Sequence, residues 1–222
     1  MTDSAAVVVG YNVAQTLPAV LRKLPDSLLT IVVDDGSTDG GLQQVADNVV
    51  VLRHSVNRGY GAAQKTGYSE ALSRGAARVV LVHGDDQYSV EDCLGLLDAL
   101  DEADLALGSR FLMPDEGAII PWWRRWANRG LTGLANHRLG IELTDMHTGA
   151  RAYRASALRA LDFMKFSDDY VFDQQLLVHS ARQGLAFAER PQRTRYDEDV
   201  QSISLSNSIR YGLGCVRTIL AP

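Results

Sequence analysis

Residues 79–88 read V-V-L-V-H-G-D-D-Q-Y. The apolar run has the length and composition of a strand buried on both faces, as strands of parallel sheets are. It breaks into Gly84, Asp85, Asp86 and Gln87. A buried strand that ends in acids carries them to the carboxyl edge of its sheet, the edge where open α/β folds bind ligands. Adjacent aspartates repel each other unless a cation or a set of donors lies against them. Capping the next helix does not explain them, because Ser89 takes that position with Asp92 three residues on. Asp85, Asp86 and Gln87 therefore point to a site.

Outward from this stretch, apolar runs at 5–9, 28–33, 49–52 and 105–107 read as further strands. Helical patterns lie between them at 17–24, behind 42–45, from the glycine-punctuated 57–63 to about Arg74, and at 90–100. Strand and helix in alternation specify an α/β fold, a mainly parallel twisted sheet flanked by helices. Glycines and acids follow the strands repeatedly, so one sheet edge collects polar groups. Beyond Arg110 the pattern changes to a loop at 113–120, a helix at 121–139 bearing three tryptophans, and a polar turn at 145–153 leading into a helix or an edge strand. An amphipathic helix at 171–183, a late strand at 185–189 and a tail from 202 to 222 follow, the tail helical in parts and interrupted by Gly212 and Gly214. The expectation is a single domain, 1–222, with a C-terminal helical elaboration.

The chain has 222 residues, 46% of them hydrophobic and 22% charged, as a soluble globular protein does, and a net charge of −5. No basic excess exists to neutralise nucleic-acid phosphates. Arg110, Arg124, Arg125, Arg129 and Arg138 nevertheless face only Asp115 and Glu116 in their part of the sequence. That local positive field suits a phosphorylated ligand or an anionic membrane surface. Cys93 and Cys215 lie far apart without metal-ligand spacing, and Cys93 reads as a core residue. No signal-peptide pattern and no bilayer-spanning apolar window is seen, so the expected location is cytoplasmic, with the inner face of the membrane left open.

Five motifs occur in order: V-V-D-D-G-S-T-D at 32–39, N-R-G-Y-G-A-A at 57–63, H-G-D-D-Q-Y at 83–88, G-S-R-F at 108–111 and D-M-H-T-G-A-R at 145–151. Together they resemble the GT-A glycosyltransferases of family 2, in particular the polyprenyl-phosphate (dolichyl-phosphate type) sugar transferases. The resemblance implies transfer of a sugar from a nucleotide-diphosphate sugar to an acceptor by a single inverting displacement. It divides the chain into a nucleotide-sugar-binding half at 1–110 and an acceptor-binding half with the tail at 111–222. The implied donor site comprises Tyr11, Val33, Asp35, His83, Gly84, Asp85 and Arg110. In this reading Asp35 grips a base N–H and the ribose edge, although the same turn would also serve as a helix cap through Ser37 or Asp39. The small residues at 57–63 admit two readings, phosphate at a helix N-terminus or close packing.

Asp85 and Gln87 would hold Mg²⁺ or Mn²⁺ together with the diphosphate. The family pattern is D-x-D-x-Q, and here His83 stands at its first position while Asp86 fills the variable slot. Arg110 offers a fork for the departing diphosphate or an acceptor phosphate. Arg124 or Arg125 resembles a further acceptor-phosphate arginine of the polyprenyl-phosphate branch. Asp145, with Arg151 in the same motif, would face the acceptor, and Asp145 would act as base or as orienting group. The tryptophans of 121–139 would line an isoprenoid path or meet a membrane, unless that helix only covers the sheet. After the last strand, Arg193, Arg195, the acids at 197–199 and the serines at 202–206 depart from the spacing of the lipid-phosphate branch. A lipid phosphate and a soluble or cell-envelope hydroxyl thus both stand as acceptors. A non-catalytic nucleotide-sugar binder is the reading from another class, and peripheral membrane contact and pairing with a second copy remain open.

Overall fold

The computed structural model describes residues 3–41, 45–46, 48–113, 122–195 and 205–221. Seven strands form one sheet: β1 (Ser4–Gly10), β2 (Leu29–Asp34), β3 (Val50–Arg53), β4 (Arg78–His83), β5 (Leu105–Ser109), β6 (Arg151–Arg154) and β7 (Phe187–Pro191), in the order β3-β2-β1-β4-β6-β5-β7. β3, β2, β1 and β4 pair in parallel, as do β5 and β7, while β6 runs antiparallel to both of its neighbours. Among the described residues, seven α-helices surround the sheet: α1 (Leu17–Arg22), α2 (Tyr60–Ser73), α3 (Val90–Ala99), α4 (Trp122–Leu139), α5 (Ala155–Ala160), α6 (Val171–Arg182) and α7 (Leu205–Leu220).

Alternation along the central strands builds two cores. Val7, Val9, Ile31, Val33, Val79 and Leu81 face Tyr68, Phe172 and Leu176 of α2 and α6. Ala6, Val8, Val32, Val80 and Val82 face Leu17 and Val20 of α1 and Val90, Cys93 and Leu96 of α3. Each large aliphatic side chain so buried contributes about 1.5–3 kcal/mol. A third cluster, with Met146, Leu177 and Ile219, joins α6 and α7 to the segment before β6.

Two expectations need correction. The segment after residue 145 does not supply an edge strand: its strand, β6, lies inside the sheet between β4 and β5, and the helix α5 follows it directly. Nor do Gly212 and Gly214 interrupt the tail, since α7 is continuous through both. A Cβ on Gly214 would come within 2.6 Å of Val171 Cγ2, so this glycine lets α7 approach α6. The helix expected behind 42–45 and the loop at 113–120 fall mainly outside the described residues.

The order of strands reverses between β1 and β4, because β2 and β3 lie on one side of β1 and β4 on the other. A crevice opens at such a switch point, beyond the carboxyl ends of the two strands. Gly10 and His83 end those strands, which puts the turns at 11–16 and 84–88 at its mouth.

Candidate active site

Both turns are fixed by hydrogen bonds. The Gly84 N–H donates to the Val9 carbonyl (2.9 Å), and Thr16 Oγ1 donates to the Gly84 carbonyl (2.6 Å). The loops after β1 and β2 are laced together, with Asn12 N donating to Ser37 Oγ (2.8 Å) and Thr38 N to Asn12 Oδ1 (2.9 Å). Tyr11 projects from this edge with 48% of its surface exposed. An exposed ring at the switch point is where a base would stack. Val33 is fully buried under the turn, and its side chain serves the core.

Asp35 does not present its carboxylate to the crevice. Oδ1 lies 2.6 Å from His54 Nδ1 and accepts from Arg58 N (2.9 Å), and Oδ2 accepts from Gly59 N (2.9 Å). The residue is 4% exposed. The carboxylate thus holds the entry to α2. The two readings of 57–63 also separate, because Gly61 N and Ala62 N both donate to the Asp168 carbonyl (2.7 and 3.1 Å). A Cβ at Gly59 or Gly61 would collide with the 167–168 backbone, so the glycines permit close packing and these N–H groups are already engaged.

His83 lies between Tyr60 and Tyr88, with ring centroids 5.5 and 4.8 Å away. Its Nε2 is 3.1 Å from Tyr60 Oη and 3.3 Å from the Gly149 carbonyl. Tyr60 Oη donates onward to Asp173 Oδ2 (3.3 Å), which ties α2 to α6. Burial, and then the Asp173 charge, pushes the Tyr60 phenol well above its ordinary pKa, so it remains a donor. A Cβ on Gly149 would sit 2.6 Å from His83 Nε2, which explains why the motif needs glycine there. Tyr170, 48% exposed, stacks on Tyr60 at 5.2 Å. Burial pushes the Tyr170 phenol up, and the charges of Asp85 and Asp169 add to this.

Asp85 Oδ1 accepts from Gln87 N (3.0 Å), a local bond that shapes the turn. A carboxylate and a side-chain amide are hard oxygen donors of the kind Mg²⁺ and Mn²⁺ take, and the diphosphate and water would have to complete the shell. Among the described residues no three His, Cys, Asp or Glu side chains converge on a ready cation cage.

At the acceptor side, Arg110 grips Asp145 with two parallel bonds, Nε to Oδ2 (2.7 Å) and Nη2 to Oδ1 (2.9 Å). Asp145 is completely buried and Arg110 is 6% exposed. Burial raises the Asp145 pKa, but the charge and hydrogen bonds of Arg110 outweigh it and hold the carboxyl below its ordinary value. Glu189 of β7 accepts from the backbone N–H groups of Thr144 and Asp145, fixing the segment from behind. His147 is half-buried, its Nδ1 3.0 Å from Tyr211 Oη of α7.

Arg151 lies elsewhere than expected of an acceptor ligand. It is 1% exposed, and its Nε, Nη1 and Nη2 donate to the carbonyls of Thr148, Asp173 and Met146. With these backbone bonds and Asp173 Oδ2 at 3.8 Å from its Nε, Arg151 ties the 145–151 segment to α6. Arg125 and Arg129 of α4 stand over the Phe111 ring at 6.0 and 5.2 Å, immediately after Arg110. The side chain of Arg124 and the residues 196–204 lie outside the described ones. The sequence reading missed His54, Tyr60, Tyr170 and Tyr211. Only Tyr60, inside N-R-G-Y-G, was marked by a motif; the others are joined to the site by contacts across the fold.

The profile of glycosyl transferase family 2 matches residues 5–162. Polyprenol monophosphomannose synthase of Mycolicibacterium smegmatis is 31% identical over 193 residues, covering 82% of this chain and 73% of that protein. Undecaprenyl-phosphate mannosyltransferase of Micrococcus luteus is 32% identical over 191 residues, covering 82% and 79%. Among solved structures, glucosyl-3-phosphoglycerate synthase from Mycobacterium tuberculosis in complex with UDP superposes with a TM-score of 0.74 at 20% identity, over 98% of this chain and 79% of that one. Its complex with Mn²⁺, UDP and glucosyl-3-phosphoglycerate gives 0.68 at 18% identity, over 98% and 78%. At those identities the structural likeness carries the GT-A fold alone.

Proposed function

The chain belongs to glycosyl transferase family 2 and is a glycosyltransferase that draws its sugar from a nucleotide donor; from that premise we propose that it passes the sugar to a polyprenyl phosphate. The donor half is 1–110, with Tyr11 against the base and the 84–88 turn against the diphosphate. The acceptor half is 111–222. Asp85 and Gln87 would hold a divalent cation whose chemistry is to neutralise charge on the departing diphosphate. Mn²⁺ and UDP share complexes of the solved neighbour, which supports this assignment. Arg110 supplies a fixed positive charge where the diphosphate leaves or the acceptor phosphate arrives. A lipid phosphate is already anionic and needs no base to attack the anomeric carbon. That suits a site whose Asp145 is sealed against Arg110, and the same sealing disfavours a hydroxyl acceptor that must lose a proton.

The observation that carries the lipid reading is the outer face of α4. Trp122 and Trp126 are 75% and 69% exposed, and the helix has arginines but no acid. It packs against α7, which also lacks acids and exposes Leu213 and Leu220. Exposed tryptophan among arginines suits the interface of an anionic bilayer, and none of the described helices is long and apolar enough to cross one. The protein is thus expected at the membrane's inner face as a peripheral protein. In a sedimentation assay, vesicles containing phosphatidylglycerol should retain it and neutral phosphatidylcholine vesicles should not. Trp122→Ser with Trp126→Ser should lower the retained fraction severalfold. Equal retention by both vesicle types would count against the surface.

The donor site is tested by thermal shift with UDP and GDP, each with and without Mn²⁺. A nucleotide at a hundred times its dissociation constant stabilises the native state by about 2.7 kcal/mol. With only two protein ligands on the turn, Mn²⁺ alone should move the melting temperature little, and Mn²⁺ with the preferred nucleotide should move it most. No shift with either pair would remove the assignment.

A further inference from the structure

Between the two proposed cation ligands stands Asp86, and its geometry gives it separate work. Its φ is +57°, a left-handed conformation that glycine adopts freely and a carboxylate residue only at a cost. The side chain is 15% exposed and meets charges from two distant parts of the chain. Lys23 Nζ, at the end of α1, donates to both of its oxygens (2.6 and 3.0 Å), and Arg195 Nη1, beyond β7, reaches Oδ2 at 3.3 Å. Arg195 also donates its backbone N–H to the Gln87 carbonyl (2.7 Å), and Ser89 N donates to the Arg193 carbonyl (3.0 Å). On the other side Thr16 holds the Gly84 carbonyl. The turn is bracketed by α1 and by the segment after β7, and Asp86 is the charge that links the two.

We propose that Asp86 is a positioning residue of the donor site: clasped by Lys23 and Arg195, it holds the 84–88 turn in the shape that presents Asp85 and Gln87 to the donor's diphosphate. Glycine would satisfy the backbone at this position without strain, so what aspartate adds is its carboxylate. Lys23 is 28% exposed and Asp86 less, so the pair is partly withdrawn from water and is worth more than a surface pair. The inference rests on the reading of Asp85 as a donor-site ligand, and the test separates the two.

The test is calorimetric binding of UDP and GDP with Mn²⁺ to wild type, Asp85→Asn, Asp86→Asn, Asp86→Gly and Lys23→Met, with steady-state kinetics and melting temperatures alongside. Asp85→Asn should abolish binding. Asp86→Asn should weaken it about tenfold, as loss of a group that orients a metal ligand does. The kinetic loss should fall on donor KM, with acceptor KM and the melting temperature little changed. Asp86→Gly should weaken binding equally although it relieves the backbone, and Lys23→Met added to Asp86→Asn should cost nothing further. Wild-type affinity in Asp86→Asn beside lost affinity in Asp85→Asn overturns the clasp alone. Wild-type affinity in both overturns the donor-turn reading and the clasp with it.

Discussion

Asp145→Asn is expected to lower turnover by roughly two to three orders of magnitude, the scale on which one preorganised charge-stabilising donor acts, and to cost about 3–5 kcal/mol of folding stability, as breaking a buried ion pair does. Asparagine matches the shape of aspartate but leaves the Arg110 guanidinium without a counter-charge in a site where Asp145 has no exposed surface. The bidentate grip at 2.7 and 2.9 Å loses its charge, and Arg110 loses its fixed direction. Arg110→Met with Asp145→Leu should behave differently. Replacing both partners by apolar groups of similar size removes the desolvation cost together with the attraction, so urea unfolding should return close to wild type. Turnover should not return, because the charge at the phosphates is gone. If Asp145 were instead a base for a hydroxyl acceptor, Asp145→Asn would cost the same stability, because the ion pair is lost either way, but it would lose turnover with donor affinity unchanged. Donor affinity read beside kcat therefore decides between the two roles.

What the sequence disclosed and what it concealed follow from how far each feature reaches along the chain. β1, β2 and β4 announced themselves because strands covered on both faces must be apolar throughout, as in V-V-L-V at 79–82. The Ser89 cap was readable because its bond to Asp92 N spans three residues. β6 was concealed because it has four residues and begins with a charged one. Arg151 looks like a surface or ligand residue until the fold wraps three backbone carbonyls around it. The same limit hid the pairing of Asp35 with His54 and of Asp145 with Arg110, which are 19 and 35 residues apart. In each case the motif marked a group of residues, while the hydrogen-bond partners of each side chain depended on contacts across the fold. The left-handed turn at Asp86 is a further example, since nothing in D-D-Q specifies which carboxylate swings toward Lys23.

The support behind the site also predicts how the protein fails in acid. Burial holds the His147 pKa down to about 4; the Asp145 charge opposes this, and Arg110 and Arg151 add to it. In the unfolded chain the same imidazole takes up a proton near pH 6.5. Between those values the unfolded state carries a proton that the folded state refuses, so stability falls as pH falls from about 6.5 toward 4. At about 1.4 kcal/mol for each tenfold change in proton affinity, the loss from this one group amounts to roughly 3 kcal/mol. Asp145 adds its own loss lower down: its carboxyl is held below the ordinary value in the fold, so its contribution is present above about pH 4 and disappears as pH falls further. His147→Gln separates the two, because glutamine can keep a bond to Tyr211 Oη but does not titrate. Urea midpoints taken from pH 7 to pH 4 should drop more steeply for wild type than for His147→Gln, with the curves diverging below about pH 6.5. Curves that run parallel across that range would show that His147 takes up its proton in the folded protein as readily as in the unfolded one, and that the contact between α7 and the Asp145 segment is not sealed from water.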